Sequence, residues 1–209
     1  MAQDSRTRPR KKPSQRRSRI TVEAVLEAAA RVFEEQGYAG GTTNRIAERA
    51  GVSVGSLYEY FPNKDAIVVA LAERQLEEQR RSLGALLEGA EPGSDLLELL
   101  RRFVEAVIDF HTRRPSLHRI LHEEAAHPPE AHACVLRYEE DLAHALEAVL
   151  RHHALAVDDP DTAAHLVVQT AESLAHRFVI RDIHDLPRKR FAAELTLLLA
   201  RYLGVDPDA

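Results

Sequence analysis

The sequence predicts an all-α protein of about nine helices, and three observations support this prediction. Apolar residues recur at spacings of three and four along most of the chain, and the alternating pattern of a β-strand is almost absent. The segments between these periodic stretches are short and contain Gly or Pro, which end helices. With 44% hydrophobic residues in a chain of 209, the helices have enough apolar surface to form a core.

The first three predicted helices lie close together in the sequence. The first covers residues 21–37, where a threonine can cap its start and a glycine ends it. The second begins at Thr42 or Thr43 and ends at Gly51, and the third covers residues 53–61, between a capping serine and a proline. Two short helices joined by a Gly-Val-Ser turn, with an earlier helix packed across them, form a helix-turn-helix unit.

The third helix is predicted to place Leu57 and Phe61 in the core and other residues on its outer face. The outer residues are Gly55, Ser56, Glu59 and Tyr60. Small residues let a helix end enter the major groove of DNA closely, and tyrosine hydroxyls can bond phosphate oxygens. Because glycine inside an exposed helix costs about 1 kcal/mol relative to alanine, close approach of a partner explains Gly55. The alternative is that Tyr58 and Tyr60 only complete a small core, a role that suits Tyr60 less well.

The sequence GYAGGTTNRIAERAGVSVGSLYEYFPNKDAI occupies residues 37–67. It combines Gly-Tyr after the first helix, paired threonines, Ala-Gly-Val-Ser, Gly-x-x-Tyr-x-Tyr-Phe and Asn-Lys. In this combination it resembles the DNA-binding domain of the TetR family of bacterial transcriptional regulators. The resemblance extends from Ile20 into the fourth helix, and beyond about residue 75 only length and helical layout are similar. It implies a DNA-binding domain over residues 20–66 and a helical ligand-binding and dimerisation domain over residues 67–209.

The resemblance also implies which residues contact DNA. Two threonines anchor the duplex backbone and the asparagine after them touches a base or a phosphate. Three residues at the start of the third helix read base edges, and two tyrosines and a lysine hold phosphates. In order along the chain, these residues are Thr42, Thr43, Asn44, Val54, Gly55, Ser56, Tyr58, Tyr60 and Lys64. Because few of them can bond a base in bidentate fashion, DNA shape is expected to supply part of the specificity.

Charge is unevenly distributed along the chain. Residues 1–64 contain 12 Lys and Arg against 7 Asp and Glu, whereas the rest contains 16 against 26. Residues 1–19 are rich in arginine and contain two prolines, so they are predicted to form a disordered basic arm. The arm is either a solubilising tail or a segment that neutralises phosphates, and we favour the second because a helix-turn-helix follows it.

The remaining sequence predicts six further helices. They cover residues 63–89, 94–114, 116–126, 129–154, 160–182 and 186–203. In the last one, residues 191–203, FAAELTLLLARYL, are apolar around most of the helix axis, so this helix needs cover on two sides. We expect a homodimer through the two C-terminal helices, with the last helix packing on a segment of its partner. That segment contains Val167, Ala171, Leu174 and Phe178. A two-fold dimer predicts a near-palindromic operator, with half-sites about one DNA turn apart or a small multiple of it.

The resemblance further implies a small-molecule effector bound among the helices of residues 64–185. Seven apolar or amphipathic residues are candidates for lining the effector site, although each is more often plain core. They are Phe103, Val107, Phe110, Leu117, Leu121, Tyr138 and Phe178. Effector and operator binding would then be reciprocally coupled, which indicates a repressor released by its effector.

Histidines near the middle of the chain raise the question of a metal site. The possible ligands are His118, His122, Glu123, His127, His132 and Cys134. Imidazole and thiolate suit zinc, but the spacing matches no zinc motif, so we predict no metal site and no cofactor.

Several protein classes are excluded by missing signals. The sequence has no phosphate-binding Gly-rich loop, no Gly-x-Ser-x-Gly and no His-Glu-x-x-His, so we predict no enzyme. A single cysteine, no leader sequence and no long apolar run indicate a cytoplasmic protein that does not enter a membrane. The alternative function is a structural protein that coats DNA with little sequence preference, against which the acidic C-terminal part argues.

Overall fold

The computed structural model describes residues 16–91, 93–121, 129–153, 155–180 and 186–206. Within these ranges the chain forms nine α-helices and no β-strand, which confirms the predicted fold class. The helices are α1 (Arg16–Gly40), α2 (Thr43–Ala50), α3 (Val54–Tyr60), α4 (Lys64–Glu88), α5 (Leu96–Arg113), α6 (Pro115–Arg119), α7 (Pro129–Leu150), α8 (Pro160–Ile180) and α9 (Arg188–Leu203). No helix in this part of the chain has the length and apolar composition that crossing a bilayer requires.

The chain divides into two compact units, and the division differs from the predicted boundary at residue 66. The N-terminal unit contains the described residues up to Gln75 together with those of Ser116–Cys134. The C-terminal unit contains those of Leu76–Pro115 and Val135–Ala209. The segment after Pro115 returns to the N-terminal unit because its apolar residues Leu117, Ile120 and Leu121 are buried in that unit's core. Sequence periodicity could identify these residues as apolar but could not assign them to a core.

Helix α1 begins earlier than predicted. It starts at Arg16 rather than near Thr21, so residues 16–19 are helical and do not belong to a disordered arm. Arginine is a good helix former, and the last proline of the arm lies before this point, so no residue stops the helix from extending. At Gly37 the backbone leaves helical geometry with φ 69° and ψ 174°, which confirms the predicted stop. Residues 1–15 of the predicted arm lie outside the described residues.

The core of the N-terminal unit forms where α1, α2 and α3 meet. Phe33 of α1, Ile46 of α2 and Leu57 of α3 are fully buried. The turn between α1 and α2 passes so close to the core that a Cβ atom on Gly41 would lie 2.4 Å from Cδ1 of Phe33. Glycine at this position therefore permits α2 to begin beside α1.

The C-terminal unit is built on α5, which buries one face against α8 and α9. Its N-terminus is capped by Asp95, whose carboxylate accepts from the amides of Leu97 and Glu98 at 2.9 and 3.2 Å. On α9 the inner face is buried, whereas Leu198 and Tyr202 are 53% and 39% exposed. The last helix therefore has an apolar outer face, as its sequence predicted. Of the segment predicted to pack on the last helix of a partner, Val167 and Ala171 are instead fully buried in the core of their own unit, because they lie on the inner face of α8.

The boundaries of the other C-terminal helices differ from the predicted ones at a few ends. Helix α7 ends at Leu150 rather than near residue 154, and α9 begins at Arg188 rather than at residue 186. The prolines before α8 and α9 explain where those helices begin, because proline is favoured at helix starts. Helix α6 ends at Arg119, and the predicted continuation to residue 126 lies mostly outside the described residues.

Candidate nucleic-acid interface

The turn between α2 and α3 is fixed by caps that the sequence predicts. The Thr42 hydroxyl accepts from the Arg45 amide at 3.3 Å at the start of α2. Gly51 ends α2 in the left-handed region, with φ 67° and ψ 30°. The Ser53 hydroxyl then accepts from the Ser56 amide at 3.0 Å and starts α3. Because both ends of the turn are capped, α3 is held in a defined direction relative to α2.

The exposed side of α3 carries a glycine that the chain itself does not require. Val54 and Tyr58 are 38% and 39% exposed, and Gly55 and Glu59 are exposed as well. Among the described residues, the nearest atom to a Cβ built on Gly55 would be Ser53 Oγ, at 3.8 Å. Packing inside the unit therefore does not explain a glycine here, whereas close approach of an external partner does.

Two hydroxyl groups meet between α2 and α3. Thr43 Oγ1 and the Tyr58 hydroxyl are 3.1 Å apart, within hydrogen-bond distance. Both belong to residues predicted to contact the DNA backbone, and the structure brings them together from positions 15 residues apart. Two adjacent hydroxyls with remaining hydrogen-bonding capacity can bond one phosphate group. Thr42 and Asn44 are exposed at the same helix start.

The predicted orientation of Tyr60 is wrong. Its side chain is only 7% exposed and belongs to the core of the N-terminal unit, although the sequence analysis placed it on the outer face. Successive residues of an α-helix are about 100° apart, so Tyr60 lies only about 60° around the axis from buried Leu57.

Lys64 has a structural role that the sequence did not reveal. Its Nζ donates to the Tyr38 carbonyl at 2.7 Å and lies 3.7 Å from the centroid of the Tyr38 ring. The Tyr38 hydroxyl in turn donates to Asp65. Burial lowers the pKa of Lys64, and burial together with the Asp65 carboxylate raises the pKa of Tyr38 above its usual range. These contacts attach the end of α1 to the start of α4, where Lys64 is half-buried.

Two arginines of α2 attach this helix to α1, and sequence reasoning assigned them no role. Arg45 donates to the Gly40 carbonyl at 2.7 Å and to the Gln36 side chain at 2.8 Å. Arg49 bonds Glu35, and this hydrogen bond lowers the pKa of the Glu35 carboxyl. The contacts orient α2, although their partners are too far away in sequence for the pattern of α2 to indicate them.

The seven candidate effector residues are not gathered in one unit. Phe103, Val107 and Tyr138 are buried in the C-terminal core, and Phe110 and Phe178 are half-buried elsewhere in the C-terminal unit. The remaining two, Leu117 and Leu121, lie in the core of the N-terminal unit.

An open groove of about 700 Å³ lies between α5 and α9, and none of the seven candidates lines it. Its rim carries ion pairs between Arg188 and Asp109, and between Arg101 and both Glu98 and Glu105. These pairs join five of the seven charged side chains that line the groove.

Three of the six possible metal ligands lie within the described residues. Cys134 is buried, and its thiol donates to Glu73 Oε1 at 3.4 Å. His118 is buried, whereas His132 is exposed. The other members of that set, residues 122, 123 and 127, lie outside the described residues.

Comparison with known proteins agrees with this geometry. A family model described as bacterial regulatory proteins, tetR family, matches residues 25–71, and a model of a tetracyclin repressor-like C-terminal domain matches residues 95–203. The nucleoid occlusion factor SlmA of Vibrio atlanticus is 30% identical over 196 residues, covering 86% of this chain and 94% of that protein. The transcriptional regulator TtgR of Pseudomonas putida is 38% identical over 105 residues, 48% of each chain.

A solved structure shows the same fold. The TetR-family transcriptional regulator from Pectobacterium atrosepticum superposes with a TM-score of 0.70 at 21% identity, covering 91% of this chain and 97% of that one. The family models match both parts of the chain, and the capped helix-turn-helix lies within the first match. The chain therefore belongs to the TetR family of bacterial regulatory proteins, and it is a DNA-binding transcriptional regulator and not an enzyme.

Proposed function

We propose that this regulator is a homodimeric repressor that binds a near-palindromic operator and leaves it when a small molecule binds. The DNA-binding part of the proposal rests on Gly55, which is exposed near the start of α3 although the unit has room for a side chain there. A recognition helix enters the major groove with its N-terminal residues, so a missing side chain there allows the backbone to approach the bases. A protein with this function works in the bacterial cytoplasm, where the genome is.

The proposed DNA contacts follow from exposure and position. Val54, Gly55 and Ser56 lie at the N-terminal end of α3 and are proposed to face base edges. The paired hydroxyls of Thr43 and Tyr58 are proposed to hold one phosphate. Thr42 and Asn44 lie at the exposed start of α2. Lys64 is half-buried and Tyr60 is buried, so these two phosphate contacts are proposed from the family resemblance and not from exposure.

The proposed dimer uses the outer faces of α8 and α9. Leu198 and Tyr202 are one helical turn apart on α9 and are both exposed, and Leu166 of α8 is 46% exposed. The rings of Phe178 and Phe191 stack at 4.4 Å between these two helices, and both rings are half-buried. Exposed large apolar groups concentrated on two neighbouring helices favour a protein partner, and a second copy would cover them symmetrically.

The proposed effector site lies in the C-terminal unit, which contains Phe103, Val107, Phe110, Tyr138 and Phe178. An effector that binds one state of the dimer better than the other shifts the dimer toward that state. If that state places the recognition helices at the wrong spacing, bound effector lowers operator affinity by the same factor as bound operator lowers effector affinity.

A second candidate function is a DNA-coating protein with little sequence preference. It is favoured by the relative from Vibrio atlanticus, which is named a nucleoid occlusion factor and is similar over 86% of this chain. A coating protein needs phosphate contacts but no base reading, and the basic residues before α1 could supply them.

Salt-dependent binding separates these two functions. Fluorescence anisotropy is measured with several unrelated duplexes and with genomic fragments, between about 50 and 200 mM salt. A repressor should prefer one fragment by at least about a thousandfold at the higher salt concentration. Equal affinity for all duplexes, falling together with salt, would favour the coating protein instead.

A further inference from the structure

Four helices of the C-terminal unit place polar side chains around one buried carboxyl group. Glu172 of α8 accepts from the Tyr138 hydroxyl at 2.6 Å and from Gln79 Nε2 at 3.0 Å, both at Oε1. His111 Nε2 lies 2.8 Å from the other carboxyl oxygen. The four residues are 3% to 8% exposed, and the other three lie 34 to 93 residues from Glu172 in the sequence. We call this set the Glu172 cluster.

One acceptor of the Glu172 cluster lacks a donor within the described part of the chain. The side-chain oxygen Oε1 of Gln79 is buried and has no hydrogen-bond partner among the described residues. Burial and the Glu172 carboxylate raise the pKa of Tyr138 far above its usual range, so the phenol stays protonated and donates. A buried carbonyl oxygen without a donor is unfavourable, and a donor supplied from outside the chain would remove that cost.

The Glu172 cluster also lacks a permanent positive charge. In the described part of the chain no lysine or arginine bonds Glu172, and the only partner that can become cationic is His111. The surrounding core is apolar, with Phe103 and Val107 on α5 fully buried. A carboxylate in such surroundings favours a cation, because burial strengthens the attraction between opposite charges.

We infer that Glu172 and Gln79 recognise the effector, and that the effector is an organic cation with N–H donors on an apolar body. Its ammonium or amidinium group donates to Gln79 Oε1 and to the Glu172 carboxylate, and its body packs among the apolar residues of this core. The inference rests on the proposed effector-responsive function. Since all four polar side chains are buried, the helices of this unit must separate for the cation to reach them.

The position of Gln79 indicates how binding would reach the DNA-binding unit. Gln79 lies on α4, a continuous helix that begins at Lys64. The same helix starts directly after the recognition helix, with Asn63 capping it through the Ala66 amide at 2.8 Å. A ligand that displaces Gln79 therefore displaces the helix to which the helix-turn-helix is covalently joined.

The test uses the purified full chain without DNA and a panel of nine probes. Hexyl, phenylethyl and naphthylmethyl skeletons each carry an ammonium, a hydroxyl or a carboxylate group. We expect at least one ammonium probe to raise the melting temperature, while its alcohol and carboxylate counterparts do not. By calorimetry, Glu172→Gln should weaken binding of that ammonium probe at least about tenfold, because a charged hydrogen bond becomes a neutral one.

Two further variants make the result specific. Glu78→Gln removes an exposed carboxylate that precedes Gln79 on α4, and it should leave ammonium binding unchanged. Gln79→Leu removes the unpartnered oxygen, so it should also weaken binding of the ammonium probe. This variant replaces Glu172→Gln in the test if Glu172→Gln does not fold. The inference is wrong if no ammonium probe shifts the melting temperature, if the alcohols shift it equally, or if Glu172→Gln or Gln79→Leu binds as the wild type does.

The result of the probe-binding experiment does not depend on operator binding, because the probes are tested without DNA. Ammonium binding in a protein that prefers no operator would support cation recognition and contradict the repressor function. Operator binding without ammonium binding would contradict only the inference about the effector. If both hold, the ammonium probe should lower operator affinity, and the operator should lower probe affinity by the same factor.

Discussion

Replacing Gly55 with alanine should change stability and DNA binding in opposite directions. The nearest atom to a Cβ at this position is 3.8 Å away, an ordinary van der Waals distance, so the methyl group fits in the free protein. Alanine in a helix is more favourable than glycine by about 0.5–1 kcal/mol. For a chain of this size, that gain corresponds to a melting temperature about 1–4 °C higher.

The same methyl group should weaken DNA binding. If the backbone of α3 touches the bases at Gly55, the added carbon forces the helix away from the groove. Inserting a methyl group into a close-packed contact costs about 1–3 kcal/mol, which corresponds to an operator affinity about 5- to 150-fold lower. Thermal unfolding followed by circular dichroism and operator binding followed by anisotropy measure the two effects separately.

Gly84→Ala is the matched control for this experiment. Gly84 lies inside α4, and apart from the backbone of its own helix no described residue has an atom within 4 Å of a built Cβ, so alanine should stabilise the protein there as well. It is not on the proposed DNA-binding face, so operator affinity should not change. If both variants are stabilised and both bind the operator as the wild type does, Gly55 does not approach DNA and the reasoning fails.

Four further predictions concern other parts of the chain. Tyr58→Phe removes the hydroxyl beside Thr43, so it should lower affinity for all duplexes by several-fold in anisotropy titrations. Tyr60→Phe should lower it less, since Tyr60 is mostly buried, and equal losses of affinity in the two variants would contradict this. Leu198→Glu puts a charge on the exposed apolar face of α9 and should shift the proposed dimer toward monomer in analytical sedimentation at micromolar concentration. If the variant dimer dissociates with the same constant as the wild type, the interface lies elsewhere. Gly41→Ala should lower the free energy of unfolding in urea by about 1–3 kcal/mol, because its Cβ would meet Phe33 at 2.4 Å; an unchanged midpoint would refute the close approach. Deleting residues 1–15 should reduce the slope of log affinity against log salt concentration by up to about 0.9 for each phosphate that the arm contacts. An unchanged slope would mean that the arm contacts no phosphate and is only a solubilising tail.

The helix-turn-helix could be predicted because its signals are local. Threonine, glycine and serine occupy the three cap positions, and each cap is formed within three or four residues of sequence. The orientation of Tyr60 was misjudged because a seven-residue helix leaves only about two turns over which to define its faces. Leu57 and Phe61 alone did not show how wide the buried face is.

Long-range contacts could not be predicted in this way. The Glu172 cluster joins four helices across 34 to 93 residues, and no pattern within any one helix indicates its partners. The Lys64 contact with Tyr38 spans 26 residues, so no local pattern couples the end of α1 to the start of α4. The return of Leu117 and Leu121 to the N-terminal core is missed for the same reason, because apolar periodicity identifies a buried face but not its partner.

We propose that this chain reads a specific DNA sequence as a dimer. The decisive experiment is selection of duplexes from a random pool with the purified protein at physiological salt. We expect enrichment of a near-palindrome whose half-sites are about one helical turn of DNA apart, or a small multiple of it. Binding that falls with salt but enriches no sequence would contradict the claim and favour a protein that coats DNA without reading it.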